Sequence, residues 1–317
     1  MKISEDARKT VSLWAAAQHR PLALELITAD GHPRQDELAS FCAWLAGQCP
    51  QLVLTETAAD HGEPPALRLR GGAASWRAVP AGTELGPFLE ALSLEEARAP
   101  ADLRPASLRL FVASACPHCP GAVRALLPLI APGGPMTLEV IDSEACPEAA
   151  EAGNVKSVPT LVLDDRFRWT GSIRAADLEA LLGSTGGADL DAGTVERLLE
   201  NGNAGPLAGL MADAGRINPA LGRLLAAEAM STRLGAMMVV EELLEREPAL
   251  VERFVPELRK HFDTAPEPAR GDMLYIFGEA GPSSMKSEIT GLLAAGLHPE
   301  VAEAAREALE RLNERHE

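Results

Sequence analysis

The sequence predicts two consecutive α/β folds, each a mixed central sheet flanked by helices, followed by an all-α helical-repeat domain. Three observations lead there. Strand-like and helix-like stretches alternate as far as the Gly-rich "GSTGGADLDAG" and then strand patterns stop. The order of elements in the first hundred residues returns in the next stretch, and a helical pattern recurs about 37 residues apart toward the end. The expected domains are residues 1–101, 102–186 and 187–317.

In the first domain "VSLWAAA" reads as helix and "LALELIT" as a buried strand, and "QDELASFCAWLAGQ" carries apolar residues at helical spacing. "PALRLRGG" alternates like a strand and turns at Gly71 and Gly72, "ASWRAVP" follows, and "ELGPFLEALS" closes with a short helix. After the Pro- and Ala-rich "ARAPADLRPAS", strand "LRLFVAS", helix "PGAVRALLPLIA", strands "MTLEVID" and "PTLVLDD", edge strand "RFRWTGS" and helix "AADLEALL" come in turn. Both halves therefore follow a β-α-β then β-β-α layout of roughly 80 to 90 residues, a duplication of pattern with low identity.

Beyond the linker, stretches such as "TVERLLENG", "LGAMMVVEELLER", "ALVERFVPELRKHF" and "GDMLYIFGEAG" read as helices broken at Gly or Pro. Setting Arg233 against Arg270 aligns "RLGAMMVVEELL" with "RGDMLYIFGEAG". A period in that range marks stacked helical units, each needing its neighbours to bury its apolar face.

Twenty-nine basic residues against 46 acidic give a net charge of -17. That balance repels nucleic acid phosphates and anionic lipid, so neither nucleic acid nor membrane is expected as a partner. The first residues, "MKISEDARKT", scatter charges where a signal peptide needs an apolar core, and no stretch reaches the length of a membrane span. The expected location is the cytoplasm, where a close cysteine pair reads as redox-active or metal-binding rather than as a staple. The richness in Ala, Arg, Gly and Pro, with a single Tyr, suggests a GC-rich bacterial genome.

Cys116-Pro117-His118-Cys119 stands between a strand and a helix. At a helix N-terminus, unpaired amides and the positive end of the macrodipole stabilise a thiolate. Cys116 is therefore the expected nucleophile, and Cys119 the thiol that attacks the mixed disulfide and releases the product. His118 either adds positive charge near that sulfur or is a solvent-facing turn residue, and Pro117 suits a helix start. Further on, Val158-Pro159-Thr160 stands just before a strand, where a cis X-Pro bond would expose the Val158 backbone to an extended substrate; an ordinary trans proline is the alternative.

Through Cys-Pro-His-Cys after a strand, Val-Pro-Thr before one and "RWTGS" with Gly171 ahead of the last helix, residues 104–183 resemble the thioredoxin and glutaredoxin superfamily. With the preceding half, the chain is similar to tandem thioredoxin-fold proteins: archaeal-type protein disulfide oxidoreductases and the N-terminal region of the alkyl hydroperoxide reductase flavoprotein. The resemblance implies a cis Pro159 facing the dithiol across a substrate groove. It also implies a non-catalytic first fold, since "DGHPRQDEL" has no cysteine, with Pro65 where that fold's own cis proline would stand. Residues 228–312 resemble HEAT-type repeats. Cys-Pro-His-Cys is also the choice of periplasmic disulfide-forming oxidases, although a cytosolic thiol pool would tend to keep the pair reduced.

Of the other cysteines, Cys42 is expected in the core, Cys49 at the surface or a boundary, and Cys146 as a bystander or accessory thiol. Zinc on Cys116, His118, Cys119 and Cys146 is the rival chemistry, weakened by the lack of a second paired ligand motif. The leading expectation is a cytosolic thiol-disulfide oxidoreductase acting on an oxidised or reduced client protein. It needs no bound cofactor beyond its dithiol, and a thioredoxin-reductase-like enzyme or glutathione supplies electrons. The helical repeats either choose the client or serve packing or homodimer formation. The alternative is a non-catalytic adaptor or chaperone-like scaffold using the same groove.

Overall fold

Local hydrophobic pattern accounts for most of the elements. In the computed structural model, which describes residues 3–60, 62–94 and 103–316, the first half runs α1 (Glu5–Ala16), β1 (Leu22–Thr28), α2 (Gln35–Gln48), β2 (Leu52–Ala58), β3 (Ala66–Leu69), β4 (Ala74–Trp76) and α3 (Leu85–Ser93). Helix α2 starts with Asp36 and Glu37 in its first turn, favourable to the helix dipole, and buries Leu38, Phe41, Cys42 and Leu45 on one face. The second half runs β5 (Ala106–Val112), α4 (Cys119–Leu126), β6 (Met136–Asp142), α5 (Pro147–Ala152), β7 (Thr160–Leu163), β8 (Phe167–Thr170) and α6 (Ala175–Gly183). The expected boundary between the first two domains, at 101/102, lies outside the described residues.

These strands form one eight-stranded sheet in the order β2-β1-β3-β4-β6-β5-β7-β8. Its halves repeat a single plan. In the first, β1 pairs parallel with β2 and antiparallel with β3, which pairs antiparallel with β4; in the second, β5 does the same with β6 and β7, and β7 with β8. The halves join where β4 lies parallel to β6, Ala74 opposite Leu138 and Trp76 opposite Val140. Trp76, Phe88 and Phe41 fill the first core, with ring centroids 5.3 and 5.9 Å apart in edge-on geometry. Burial of aromatic side chains of this kind contributes about 1.5–3 kcal/mol each.

Two of the expectations fail here. Cys49 is fully buried rather than superficial, because the chain turns directly from the end of α2 into β2: its N–H donates to the Leu45 carbonyl and its carbonyl accepts from Leu52, which starts β2. Pro65 precedes β3 with a trans peptide bond; among the described residues the only cis bond is Val158–Pro159. The chain before β3 carries a Pro64-Pro65 pair, and it needs no reversal facing a dithiol.

Contacts divide the chain into Met1–Gly183 and Ser184–Glu317. The second unit is helical: α7 (Ala192–Glu200), α8 (Ala204–Ala214), α9 (Ala220–Leu225), α10 (Met230–Arg246), α11 (Pro248–Phe262), α12 (Glu267–Ala280), α13 (Met285–Ala295) and α14 (Pro299–Arg315). Helices α12 and α14 approach closely at Gly278, where a Cβ would stand 3.0 Å from the Ala308 Cα. Arg233 and Arg270 play matching parts. Arg233 donates to the carbonyls of Ala227 and Glu228, and Arg270 to those of Phe262 and Asp263, so each guanidinium caps the chain just before its own helix.

Candidate functional site

The site grows out of the loop between β5 and α4. Val112 ends the strand and residues 113–118 turn the chain, with the Cys116 N–H donating to the Ala113 carbonyl. Helix α4 begins only at Cys119, with His118 as its N-cap, so Cys116 lies ahead of the helix rather than in its first turn. The helix N-terminus still reaches its sulfur. The Cys119 amide, the first of the helix, donates to Cys116 Sγ at 3.1 Å.

Cys116 and Cys119 are joined as a disulfide, with Cα atoms 5.5 Å apart. Cys116 is 9% exposed and Cys119 fully buried, so an incoming sulfur reaches Cys116 first. Across from it, Cys116 Sγ stands 3.9 Å from the Val158 carbonyl. The Val158–Pro159 turn is firmly anchored: the Gly171 N–H donates to the Pro159 carbonyl at 2.8 Å, and the Thr160 hydroxyl donates to the Ser157 carbonyl at 2.8 Å. Thr160 and Pro159 are buried and Val158 is half-buried. Pro117 and His118 are exposed, and the His118 side chain makes no capping bond to α4.

Two residues that sequence reasoning did not single out come from the other half of the sheet. Just before α3 the chain makes a single helical turn, Gly82–Glu84, against the Cys116 loop. There the Thr83 N–H donates to the Ser114 carbonyl at 2.9 Å, and its hydroxyl is 3.1 Å from the same oxygen and 3.0 Å from the Cys116 carbonyl. Gly82, at φ +54°, leaves no room for a side chain because a Cβ would run into the Ser114 carbonyl. Glu84 is 2% exposed. Burial, and then the adjoining Asp142 carboxyl, push its pKa up to about 9, so it holds a proton at neutral pH. Nothing local in "PAGTEL" marks these roles, since the partners lie about 30 residues away in sequence for Thr83 and about 60 for Glu84, and meet only across the β4–β6 joint. Arg124 of α4 also clasps Glu90 of α3 through two bonds of 2.7 Å.

Cys146 caps α5 and is fully buried with Phe111, Ile141 and Val162. Burial pushes its thiol up to about 11, against the opposing pull of the Arg34 guanidinium that bonds its sulfur. Cys42 is pushed up to about 12 by burial. A guanidinium beside Cys146 Sγ is unsuited to a cation there. Among the described residues, no three His, Cys, Asp or Glu side chains gather in metal-holding geometry. No helix among them is long and apolar enough to cross a membrane.

A thioredoxin-domain family profile matches residues 107–183. Residues 107–183 thus form a thioredoxin-fold domain, and with its Cys-X-X-Cys disulfide it has the equipment of thiol-disulfide oxidoreductases in general. Similar solved structures include the alkylhydroperoxide reductase protein AhpF of Enterococcus faecalis (V583) as a C503A mutant, 20% identical, with a TM-score of 0.49 over 57% of this chain and 100% of that one. The NTD_N/C domain of the same protein gives 20% and 0.48 over 57% and 100%. A protein disulfide oxidoreductase from Aeropyrum pernix k1 gives 19% and 0.47 over 58% and 94%. No curated protein matches the chain.

Proposed function

We propose that this protein is a thiol-disulfide oxidoreductase that exchanges electrons with a client protein through Cys116 and Cys119. The observation that carries this reading is the asymmetry of the pair: a reachable Cys116 sulfur that takes the first amide of α4 and stands 3.9 Å from the Val158 carbonyl, with Cys119 buried behind it. In the reducing direction, the Cys116 thiolate attacks a client disulfide, forms a Cys116–client disulfide and expels one client thiolate, which takes a proton from solvent. Cys119 then gives up its proton and attacks Cys116 Sγ, closing the Cys116–Cys119 bond and expelling the second client thiolate. Two electrons leave the protein, and a separate reductase of the thioredoxin-reductase type, or glutathione, restores the dithiol. In the oxidising direction a client thiolate attacks Cys116 Sγ and the same steps reverse.

His118, exposed at the helix N-terminus, favours the thiolate when protonated, and Pro117 holds the turn. The Val158-Pro159-Thr160 segment lies where an extended client strand would pair with it. Glu84, the residue after Thr83, is buried and keeps its carboxyl protonated at neutral pH beside Asp142. No bound cofactor takes part in this scheme. For the helical unit we favour HEAT-like stacking that selects the client: Met230, Leu234 and Met238 are 73%, 56% and 47% exposed, and their spacing of four puts them on one face of α10. The cytoplasm is the compartment in which such a dithiol would be recycled.

The test is a Cys119→Ser variant exposed to client extract under non-reducing conditions. Exchange through Cys116 leaves mixed disulfides that reductant releases and that a Cys116→Ser/Cys119→Ser variant does not form. An adaptor would retain the same proteins in both variants without covalent adducts. Equilibration in glutathione buffers should give a reversible two-electron couple within about -120 to -270 mV.

A further inference from the structure

A cavity of about 580 Å³ opens beside the Cys116 loop, between residues of the first and second halves of the sheet. Its walls include Trp44 of α2, Val79 after β4 and Leu85 of α3. Ser114 closes one side, held through its carbonyl by Thr83. Three carboxyl groups, those of Glu37, Asp142 and Glu144, share the lining, and among the described residues no basic side chain does. Glu37 and Glu144 are exposed; Glu144 accepts from the Ser114 hydroxyl at 3.4 Å, and among the described residues neither carboxylate pairs with a basic side chain, so the rim is acidic. Asp142 is spoken for: its carboxylate accepts the Glu144 and Ala145 amides at 2.8 and 3.1 Å and adjoins Glu84.

We infer that this cavity is a specificity pocket for the client, taking an aliphatic or aromatic side chain next to the reacting cysteine and a Lys or Arg beside it. The inference rests on the proposed role of Cys116 as the attacking sulfur. Reach supports it. Ser114 is two residues from Cys116, and two residues of chain span at most about 7 Å, so a client side chain one or two positions from its cysteine can enter the cavity while the cysteine meets Cys116. Charge supports it as well. A carboxylate-lined rim over an apolar wall favours a cation on an apolar stem and repels an acidic client residue. The pocket also assigns the first half a purpose beyond support, since Trp44, Val79 and Leu85 belong to the half without the dithiol.

The experiment uses the reduced full chain and two peptides activated as mixed disulfides with thionitrobenzoate, Leu-Cys-Lys and Gly-Cys-Asp. In a single turnover the dithiol becomes the Cys116–Cys119 disulfide, and the peptide thiol and thionitrobenzoate leave, so no other reductant enters. The wild type should favour Leu-Cys-Lys by about ten-fold or more in the second-order rate constant, the scale on which an apolar pocket discriminates. Trp44→Ala should erase the Leu part of that ratio, and Glu37→Lys with Glu144→Lys, both at exposed positions, should reverse the Lys part. The ratio between peptides, rather than either rate, is the readout, so partial loss of folded protein does not imitate the effect. Equal rates for both peptides with wild type, or a ratio untouched in all variants, overturn the pocket while leaving the exchange reading intact. Release from neither peptide sinks the exchange reading instead. The pocket is then decided by calorimetric titration of Leu-Ser-Lys: saturable binding abolished by Glu37→Lys and Glu144→Lys sustains it, and no binding in wild type overturns it.

Discussion

Residues 29–34 and residues 113–118 each join the first strand of a half to its helix, and the two connections have the same length. Counting back from the helix starts, His32-Pro33-Arg34-Gln35 occupies the place of Cys116-Pro117-His118-Cys119. In the first loop polar side chains close the turn: the Ala29 N–H donates to Gln35 Oε1 at 2.9 Å and the Arg34 N–H to His32 Nδ1 at 3.2 Å. In the second, a sulfur–sulfur bond and the amide of Cys119 do so. One backbone plan accepts either solution, but only the second can carry electrons. The half that lacks the dithiol instead sets Thr83 against the Cys116 loop and buries Glu84 beside Asp142 at the end of β6, so the loop of one half is held by contacts from the other.

The sharpest way to break the symmetry is to change matching positions. Cys116→Ser should lower disulfide exchange by on the order of 10³-fold or more, because a hydroxyl cannot replace the attacking thiolate. His32→Ser, at the equivalent place, should change it by less than about two-fold; a comparable loss in both would show that the first loop takes part in chemistry.

Next in size is a pH effect on stability. The folded pKa of Glu84, about 9, lies above its ordinary 4.5, so the folded state retains a proton that the unfolded chain releases between those values. Its contribution is complete below about pH 4.5 and is lost as pH rises toward 9, on the order of 1 kcal/mol per pH unit. Glu84→Gln should remove that slope and gain on wild type most near pH 9. Urea unfolding at pH 5, 7 and 9 checks this, and parallel curves for the two proteins would sink it.

Thr83→Val removes the hydroxyl that bonds the Ser114 and Cys116 carbonyls, at a cost of about 1–3 kcal/mol. Exchange should slow with it, and Thr83→Ser should restore both rate and stability; a rescue of stability alone would separate packing from positioning of the loop. The smallest effect belongs to Arg124→Ala. Its pair with Glu90 joins α4 to α3 with both side chains about half exposed, so the loss should stay below about 1 kcal/mol and shrink further in 1 M salt.

Most elements of the sheet could be read locally. "LALELIT" and "MTLEVID" announce strands through alternation that gives way to continuous burial, and the helices after residue 190 announce themselves by period and by Gly or Pro breaks. The dithiol was legible because its chemistry needs two cysteines at one spacing beside a helix start. Three things were not. Cys49 looked superficial because its position at a helix end says nothing of the strand beginning three residues later. Pro65 was expected as the counterpart of Pro159 only through the resemblance of the first half to a thioredoxin fold, and its peptide bond is trans. Thr83 and Glu84 left no trace because their partners are distant in sequence.

The sequence by itself determined the alternation of elements, the repeated half, the helical tail and the identity of the sulfur pair, since each follows from patterns read along the chain. Only the tertiary structure decided that the two halves share one sheet through β4 and β6. That pairing brings a turn of the first half onto the Cys116 loop, burying Glu84 until its carboxyl keeps a proton at neutral pH. The physical reason is that strand pairing and the desolvation of a carboxyl depend on which surfaces meet in space, and neither is encoded in the neighbours a residue has along the chain.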